Sequence, residues 1–390
     1  GVLIEGRTAL LGTFPPPSDA MGRIPLATEW GWPIYHVGPT RKLTTLAQAA
    51  DLIRPGVVIE LDQGTYSETL TVKAKGRPNA PVIIRGRAGG PRPVLDAAAI
   101  KFGEAGPKAI VQLTGAYAVL QHLELRNARS DQSAACVRLD GASNTVIRDC
   151  YLHHSDTGIV GADLGTVTLD GCEIAFNGSA KAKGQTHNIE LAGNEVSISN
   201  CYIHDAPFGQ NVFLRTRYSE LWANWIADSA HGELAALDGA ATDRIHTGLP
   251  RSGTLLAGNV IVSGTRPAGG NAARFIVFGS DGDGGAAGHD GTLALFHNTL
   301  VAGSPGIAFV ELSDPKARLM AGNNVFFGSD NIIALTREPV SIDARGNLVP
   351  ATATPPAAFK GFIRGDPLFA DAAGRDFRLT AKSPAVDAGA

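Results

Sequence analysis

The chain has 390 residues and a net charge of −3, with 44% apolar and 18% charged residues. Its 47 glycines, about 12% against an average of about 7%, are scattered and not set in Gly-X-Y triplets, which excludes a collagen-like chain; the apolar content excludes a disordered one. With 34 basic against 37 acidic residues and no Lys/Arg block, no nucleic acid is expected as a partner, and no apolar run reaches the ~18–20 residues that span a bilayer.

Residues 1–42 carry Pro15-Pro16-Pro17 and few periodic apolar positions, as expected of an extended segment packed on the body. In Thr44 to Ile53, TTLAQAADLI, apolar residues fall at helical spacing behind threonines that can cap them, and Pro55-Gly56 stops the run. A capping helix within 43–56 would cover the open first coil of a repeat and keep its strand edges from pairing elsewhere. The runs VVIEL from Val57, LTVKA from Leu70 and PVIIRG from Pro81 read as the first strands.

Further along, a small or amide residue, any residue and then an aliphatic or aromatic one keep returning. They stand at Cys150-Tyr151-Leu152, at Cys172 and Cys201, and then at Asn224, Asn259, Asn298, Asn324 and Asn347, with steps of 22, 29, 23, 35, 39, 26 and 23 residues. A fixed minimum with irregular excess above it is the mark of stacked coils whose loops vary in length. Between these positions lie CVRLD, GIVGA, NIELA, NVFLR, ELAALD, RFIVFG, GIAFVE and NIIALT, short strands between turns. Two strand series in phase at this period leave no room for a helix in each repeat. The pattern predicts an all-β, single-stranded right-handed parallel β-helix of about 10–12 coils, filling 57–390 as one domain.

Stacked asparagines can bond amide to amide and satisfy turn backbone, so they are read as a structural ladder. The cysteines take the same place as small buried residues with free thiols, and no CxxC or HxxxH spacing suggests zinc. His153-His154 and His204-Asp205 follow ladder positions and are read as turn-stabilising pairs that could border a second polar groove.

The stretch from Leu43 to Asn127, with TLAQAADLIRPGVVIELDQGTYSETLTV, KGRPNAPVIIRGRAGGPRPVLD and GAYAVLQHLELRN, resembles the N-terminal coils of the pectin-lyase-like superfamily, nearest to polysaccharide lyase family six, the chondroitinase B and alginate lyase group. HNIELAGNEVSISNCYIHDAPFGQNVFLRTRYSELWANWI and the closing FRLTAKSPAVDAGA resemble related secreted bacterial β-helix proteins. The resemblance implies β-elimination from an acidic, uronate-containing polysaccharide, in a secreted or periplasmic protein; the opening GVLIEGRTALLG has no charged-then-apolar leader. Elimination needs a cation on the sugar carboxylate, a base for the C5 proton and an acid for the leaving oxygen. GQNVFLRTRYSELWANW aligns with the family segment that carries the arginine and places Arg215 there. The preceding strand HNIELAG has no lysine at the family's position, so the base falls to His187, Lys183 or another group.

Aligning inward aliphatics sets Ile189 beneath Val212 and points Glu190 and Phe213 outward, followed by Ala192 and Arg215. An outward patch is therefore expected, with Arg215, His187, Arg217, Glu190 and Glu233 as catalytic candidates. Asn188, Gln210, Asn211, His231, Asp238, Trp222 and Lys183 are the substrate-binding candidates. Trp222 and Trp225 could stack on sugar rings. A glycoside hydrolase using Glu190, Glu233 and Asp238, and a non-catalytic glycan-binding surface protein, stay open as alternatives. GSDGDGGAAGHDG from Gly279 offers Asp281, Asp283 and Asp290 to calcium, the one cofactor suggested, without the spacing of an EF-hand.

Overall fold

The computed structural model describes residues 31–130, 133–182, 186–237, 252–264, 274–279, 291–336 and 341–389, with the two short strands Leu3–Ile4 and Arg7–Thr8. Lys183, Asp238, the three aspartates of the glycine-rich stretch and most of the 1–42 segment lie outside the described residues. The chain divides into two compact units. The first comprises Pro15–Ser197 with Ala206–Gly209, and the second Gly1–Phe14, Ile198–Asp205 and Gln210–Ala390.

In the first unit the stack begins earlier than residue 43. Ile34–Val37 pairs in parallel with Val57–Leu61, so the N-terminal segment already contributes a strand. The predicted helix is shorter than its periodicity suggests and covers Leu46–Ala50. Thr45 accepts from the Gln48 backbone amide, and the Gln48 side chain accepts in return from the Thr45 amide, a capping box. The other end tightens at once, because Leu52 and Ile53 donate back three residues to Ala49 and Ala50.

Each coil of this unit contains up to three strands, as in Ala135–Asp140, Thr145–Arg148 and Tyr151–His153. Every strand pairs in parallel with its counterpart on the next coil, giving three series. Alternation puts Val57, Ile59 and Leu61, then Val137 and Leu139, into an interior from which water is excluded. At Thr157–Asp170 the first and second strands fuse into one strand of 14 residues, bent at Asp163, whose φ is 53°. The run GIVGA is only the start of that strand.

The second unit repeats the plan. Its third series runs through Tyr202–His204, Trp225–Ala227, Val260–Val262, Thr299–Val301, Val325–Phe327, Leu348–Val349 and Ile363–Arg364. Just before these strands, the side-chain amides of Asn224, Asn259, Asn298, Asn324 and Asn347 form the ladder, each Nδ2 donating to the next Oδ1 at 2.9–3.0 Å. The same Nδ2 groups donate to backbone carbonyls such as Leu221 O and Leu256 O, and each Oδ1 also accepts the backbone N–H of the ladder residue before it. Cys201 opens the row, its N–H donating to Asn224 Oδ1 at 2.9 Å.

All four cysteines are buried and none is in a disulfide. In the first unit, Cys150 and Cys172 donate weakly to Arg148 O and Ile147 O. Burial pushes the Cys136 thiol up to about 12, and burial together with the neighbouring Cys172 raises that of Cys150. These are unreactive packing groups.

The outer face of the third series in the second unit is apolar, with Trp225, Ala227, Val262 and Val301 clustered there. The C-terminal hairpin, Phe369–Asp371 and Asp376–Leu379, roofs it. Phe377 stacks on Trp225 at 5.8 Å and Phe369 meets Phe327 edge-on at 5.4 Å. Arg375 in the hairpin turn forks onto Asp228, with Nη2 2.6 Å from Oδ1. Trp225 is therefore a packing residue and no sugar platform.

Two substitutions separate the two halves of the ladder. Asn298→Ala takes the Oδ1 acceptor from the buried Asn259 N–H and Nδ2 and the Nδ2 donor from Leu256 O, and should cost about 3 kcal/mol in urea unfolding, at ~1–3 kcal/mol per orphaned buried group. Cys172→Ala removes one sulfur and a weak hydrogen bond, and should cost about 1 kcal/mol.

Candidate functional site

The strands that carry the predicted patch hold their residues in two ways. In the first unit Asn188 is fully buried, and its Oδ1 accepts from both the backbone N–H and the Nδ2 of Asn177, at 3.2 and 2.9 Å. His187 is buried as well. The chain passes so close to it that a Cβ at Gly209 would lie 1.9 Å from Thr186 O and 2.8 Å from His187 Nδ1. Among the described candidates of this unit, Glu190 alone, half-buried, stands on the outer face as predicted.

In the second unit Asn211 and Glu233 are fully buried. Asn211 Nδ2 donates to Glu233 Oε2 at 2.6 Å and to Ala227 O at 2.6 Å, while Glu233 Oε1 accepts from Ser229 N–H at 3.1 Å. This corrects the placement of Glu233, Asn211, Asn188 and His187 on the outside. Strict alternation would turn a residue outward if it directly precedes an inward aliphatic. At the first residues of these strands the chain is still leaving a corner, and the side chain points into the coil instead. Phe275 and Phe309 occupy the same place before Ile276 and Val310, fully buried with rings 5.4 Å apart. Asn211 and Glu233 are thus a polar stretch of a core column.

The outward row of Gln210–Trp222 is as predicted. Arg215 is exposed, its guanidinium lying over the Phe213 ring at 5.0 Å from the centroid. Phe213 in turn packs on Ala235, Leu237 and Val277, the outward residues of the following coils. Arg217 and Gln210 are half-buried and His231 is exposed. Trp222 is half-buried, and Glu220 holds it by accepting from Nε1 at 3.3 Å while taking Tyr218 Oη–H at 2.7 Å. A guanidinium fixed on an aromatic ring and facing solvent can receive a carboxylate with little loss of side-chain freedom.

The third series carries more polar chemistry than periodicity revealed. In the first unit His153 Nε2 lies 3.2 Å from Glu124 Oε1, and its Nδ1 lies 2.6 Å from Nδ1 of His154. Burial is the main cause that holds both imidazoles below their ordinary value. In the second unit His204 Nδ1 lies 2.7 Å from Asp205 Oδ2, and the His204 ring stacks on that of Tyr202. Among the described residues no three His, Cys, Asp or Glu side chains come together as a metal site, and no helix is long and apolar enough to cross a membrane.

A family model described as a right-handed β-helix region matches residues 112–241. Two solved structures share the architecture. A pectate lyase superposes with a TM-score of 0.53 at 15% identity, covering 93% of this chain and 93% of its own. An alginate lyase from Paenibacillus sp. str. FPU-7 gives 0.51 at 14% identity, covering 80% of this chain and 97% of its own. At these identities the likeness concerns the fold alone. No curated protein matches the sequence.

Two outcomes test these placements. Glu233→Ala leaves Asn211 Nδ2 and the Ser229 amide short of an acceptor, so it should lower stability by about 2–3 kcal/mol in urea, where an outward carboxylate would lose nothing measurable. For the histidine pair, folding favours the neutral rings, so the unfolded chain binds more protons once the pH falls below ~6.5. Their stabilisation is complete above that pH and is lost as pH falls through the lowered folded values. The unfolding midpoint should drop between pH 7.5 and pH 5, and drop less in His154→Asn.

Proposed function

Because this chain has the pectin-lyase-like right-handed parallel β-helix fold, we propose that it is a carbohydrate-active protein that takes an acidic, uronate-containing polysaccharide on the outward face of its first strand series and cleaves it by β-elimination. The observation that carries this reading is Arg215, an exposed guanidinium held over Phe213 with Arg217 two residues further along the same row. Elimination needs the sugar carboxylate neutralised before the C5 proton becomes acidic enough to leave, and a preorganised arginine supplies that charge. The solved relatives at the higher TM-scores, a pectate lyase and an alginate lyase, point to the same class of polymer.

Roles for the remaining residues follow from their exposure. His187 is buried and is not assigned the base's role, which falls to Arg217 or His231, of the same unit as Arg215. The hydrolytic alternative requires two carboxylates flanking the bond, and the burial of Glu233 removes one of its three candidates. Calcium, suggested by the acidic glycine-rich stretch, enters as a variable of the assay. A polymer of this kind is met outside the cytoplasm, and export of the protein belongs to the same proposal.

The test follows unsaturated-uronate absorbance and reducing ends in parallel on alginate, pectate, chondroitin, hyaluronan and a neutral glycan, with and without calcium. Absorbance should rise on one acidic polymer, and Arg215→Ala should lower the rate about 100-fold or more, the scale of losing one charge-stabilising group, with an unchanged unfolding midpoint. Reducing ends without absorbance overturn elimination in favour of hydrolysis. Silence in both assays, with binding retained, leaves a glycan-binding protein.

A further inference from the structure

On the outer face of the third strand series in the first unit, hydrogen bonds join six side chains from three consecutive coils. Asp96 accepts from Asn127 Nδ2 and from Arg126 Nε, each at 2.9 Å. Arg126 Nη1 donates to Glu124 Oε1 at 2.9 Å, Glu124 meets His153 Nε2 at 3.2 Å, and His153 meets His154 at 2.6 Å. The carboxylate determines the direction of the protons. Glu124 accepts, so His153 carries its proton on Nε2, and the neutral ring then accepts at Nδ1. His154 must donate from its own Nδ1, which leaves its Nε2 with a lone pair. That nitrogen has no hydrogen-bond partner among the described residues, and the His154 side chain is exposed.

The ring beside it is Phe176, 5.1 Å away and 37% exposed. Asn127, His154 and Phe176 take the same turn position on successive coils, with φ of 65°, 54° and 56°. Asparagine is at home in that left-handed conformation, and a bulky phenylalanine there is an outlier. The equivalent turns of the second unit use Asp205 and Asp228. A bulky aromatic ring held partly exposed in a conformation that disfavours it is the kind of residue that gathers at sites of binding. Arg129 stands near by, its side chain 47% exposed, with Nη1 donating to Gly178 O at 2.6 Å and lying 3.6 Å from Asp156 Oδ1, which leaves the outer edge of the guanidinium toward solvent. Asp156, almost fully buried, holds the adjoining loop by accepting from Ser130 N–H, Ser130 Oγ and Ala134 N–H.

We propose that Phe176, His154 and Arg129 form a binding subsite for one uronate residue of a polysaccharide. The sugar's apolar ring face lies on Phe176, a hydroxyl donates to His154 Nε2, and the carboxylate faces Arg129. The inference rests on the reading of the chain as a protein of acidic glycans, and places a second contact for them on a strand series other than that of Arg215. Nearby positive charge from Arg129 and Arg126 also keeps His154 neutral and able to accept.

The test uses the whole chain labelled with ¹⁵N-histidine and titrated with tetragalacturonate, tetramannuronate or cellotetraose. Saturable movement of the His154 imidazole signal with an acidic tetrasaccharide and none with cellotetraose is the result expected. Phe176→Asn should weaken that binding at least tenfold and His154→Asn should weaken it as well. Both variants should fold, since Asn127 occupies the same turn, and an unfolding midpoint at or above wild type verifies it. Acidic sugar that binds while the His154 signal stays still and Phe176→Asn changes nothing overturns the subsite and leaves the proposed function standing. Equal movement with cellotetraose overturns its preference for uronate. No binding of any acidic sugar to wild type, together with no elimination, overturns both.

Discussion

The constraint on which each unit depends is the need to satisfy backbone polar groups at the corner between the second and third strands. A corner cannot use the sheet ladder for all its N–H and C=O groups, and burying them unpaired is costly. Asn224 and the asparagines after it solve this in the second unit by bonding to the corner backbone and to the next asparagine at once. A side chain that bridges two coils works only when the coils stand in register, so the same interaction that completes the corner also aligns the strands. Small cysteines at that place in the first unit show that the alignment there is carried by strand pairing and packing.

Register turns single residues into rows. Because equivalent positions stack directly, an inward phenylalanine meets another, as Phe275 meets Phe309, and a polar inward position needs a partner on the next coil, as Asn211 needs Glu233. Outward rows behave the same way and are where the surfaces differ. The third series of the second unit presents an apolar row that its own C-terminal hairpin covers, held by Arg375 on Asp228. In the first unit the corresponding row is a chain of carboxylates, arginine and imidazoles that ends at an exposed ring. A β-helix therefore assigns each face its task through one position per coil, and a few substitutions along a row change that task without disturbing the core.

The recurrence from Cys150 to Asn347, the two strand series and the inward aliphatics were legible in the amino-acid order, because every coil must meet the same corner and the same core with the same kind of residue. Arg215 and Phe213 on the outer face were legible for the same reason: they lie well inside a strand, where alternation holds. Only the tertiary structure decided that Asn188, Asn211 and Glu233 face inward, since a strand's first residues follow the corner and not the pleat. It alone joined Glu124 to His153, 29 residues apart, and Asp228 to Arg375, 147 apart. Periodicity records what one residue does within its own strand. Which residue stands beside it is set by the lengths of loops that the period does not contain.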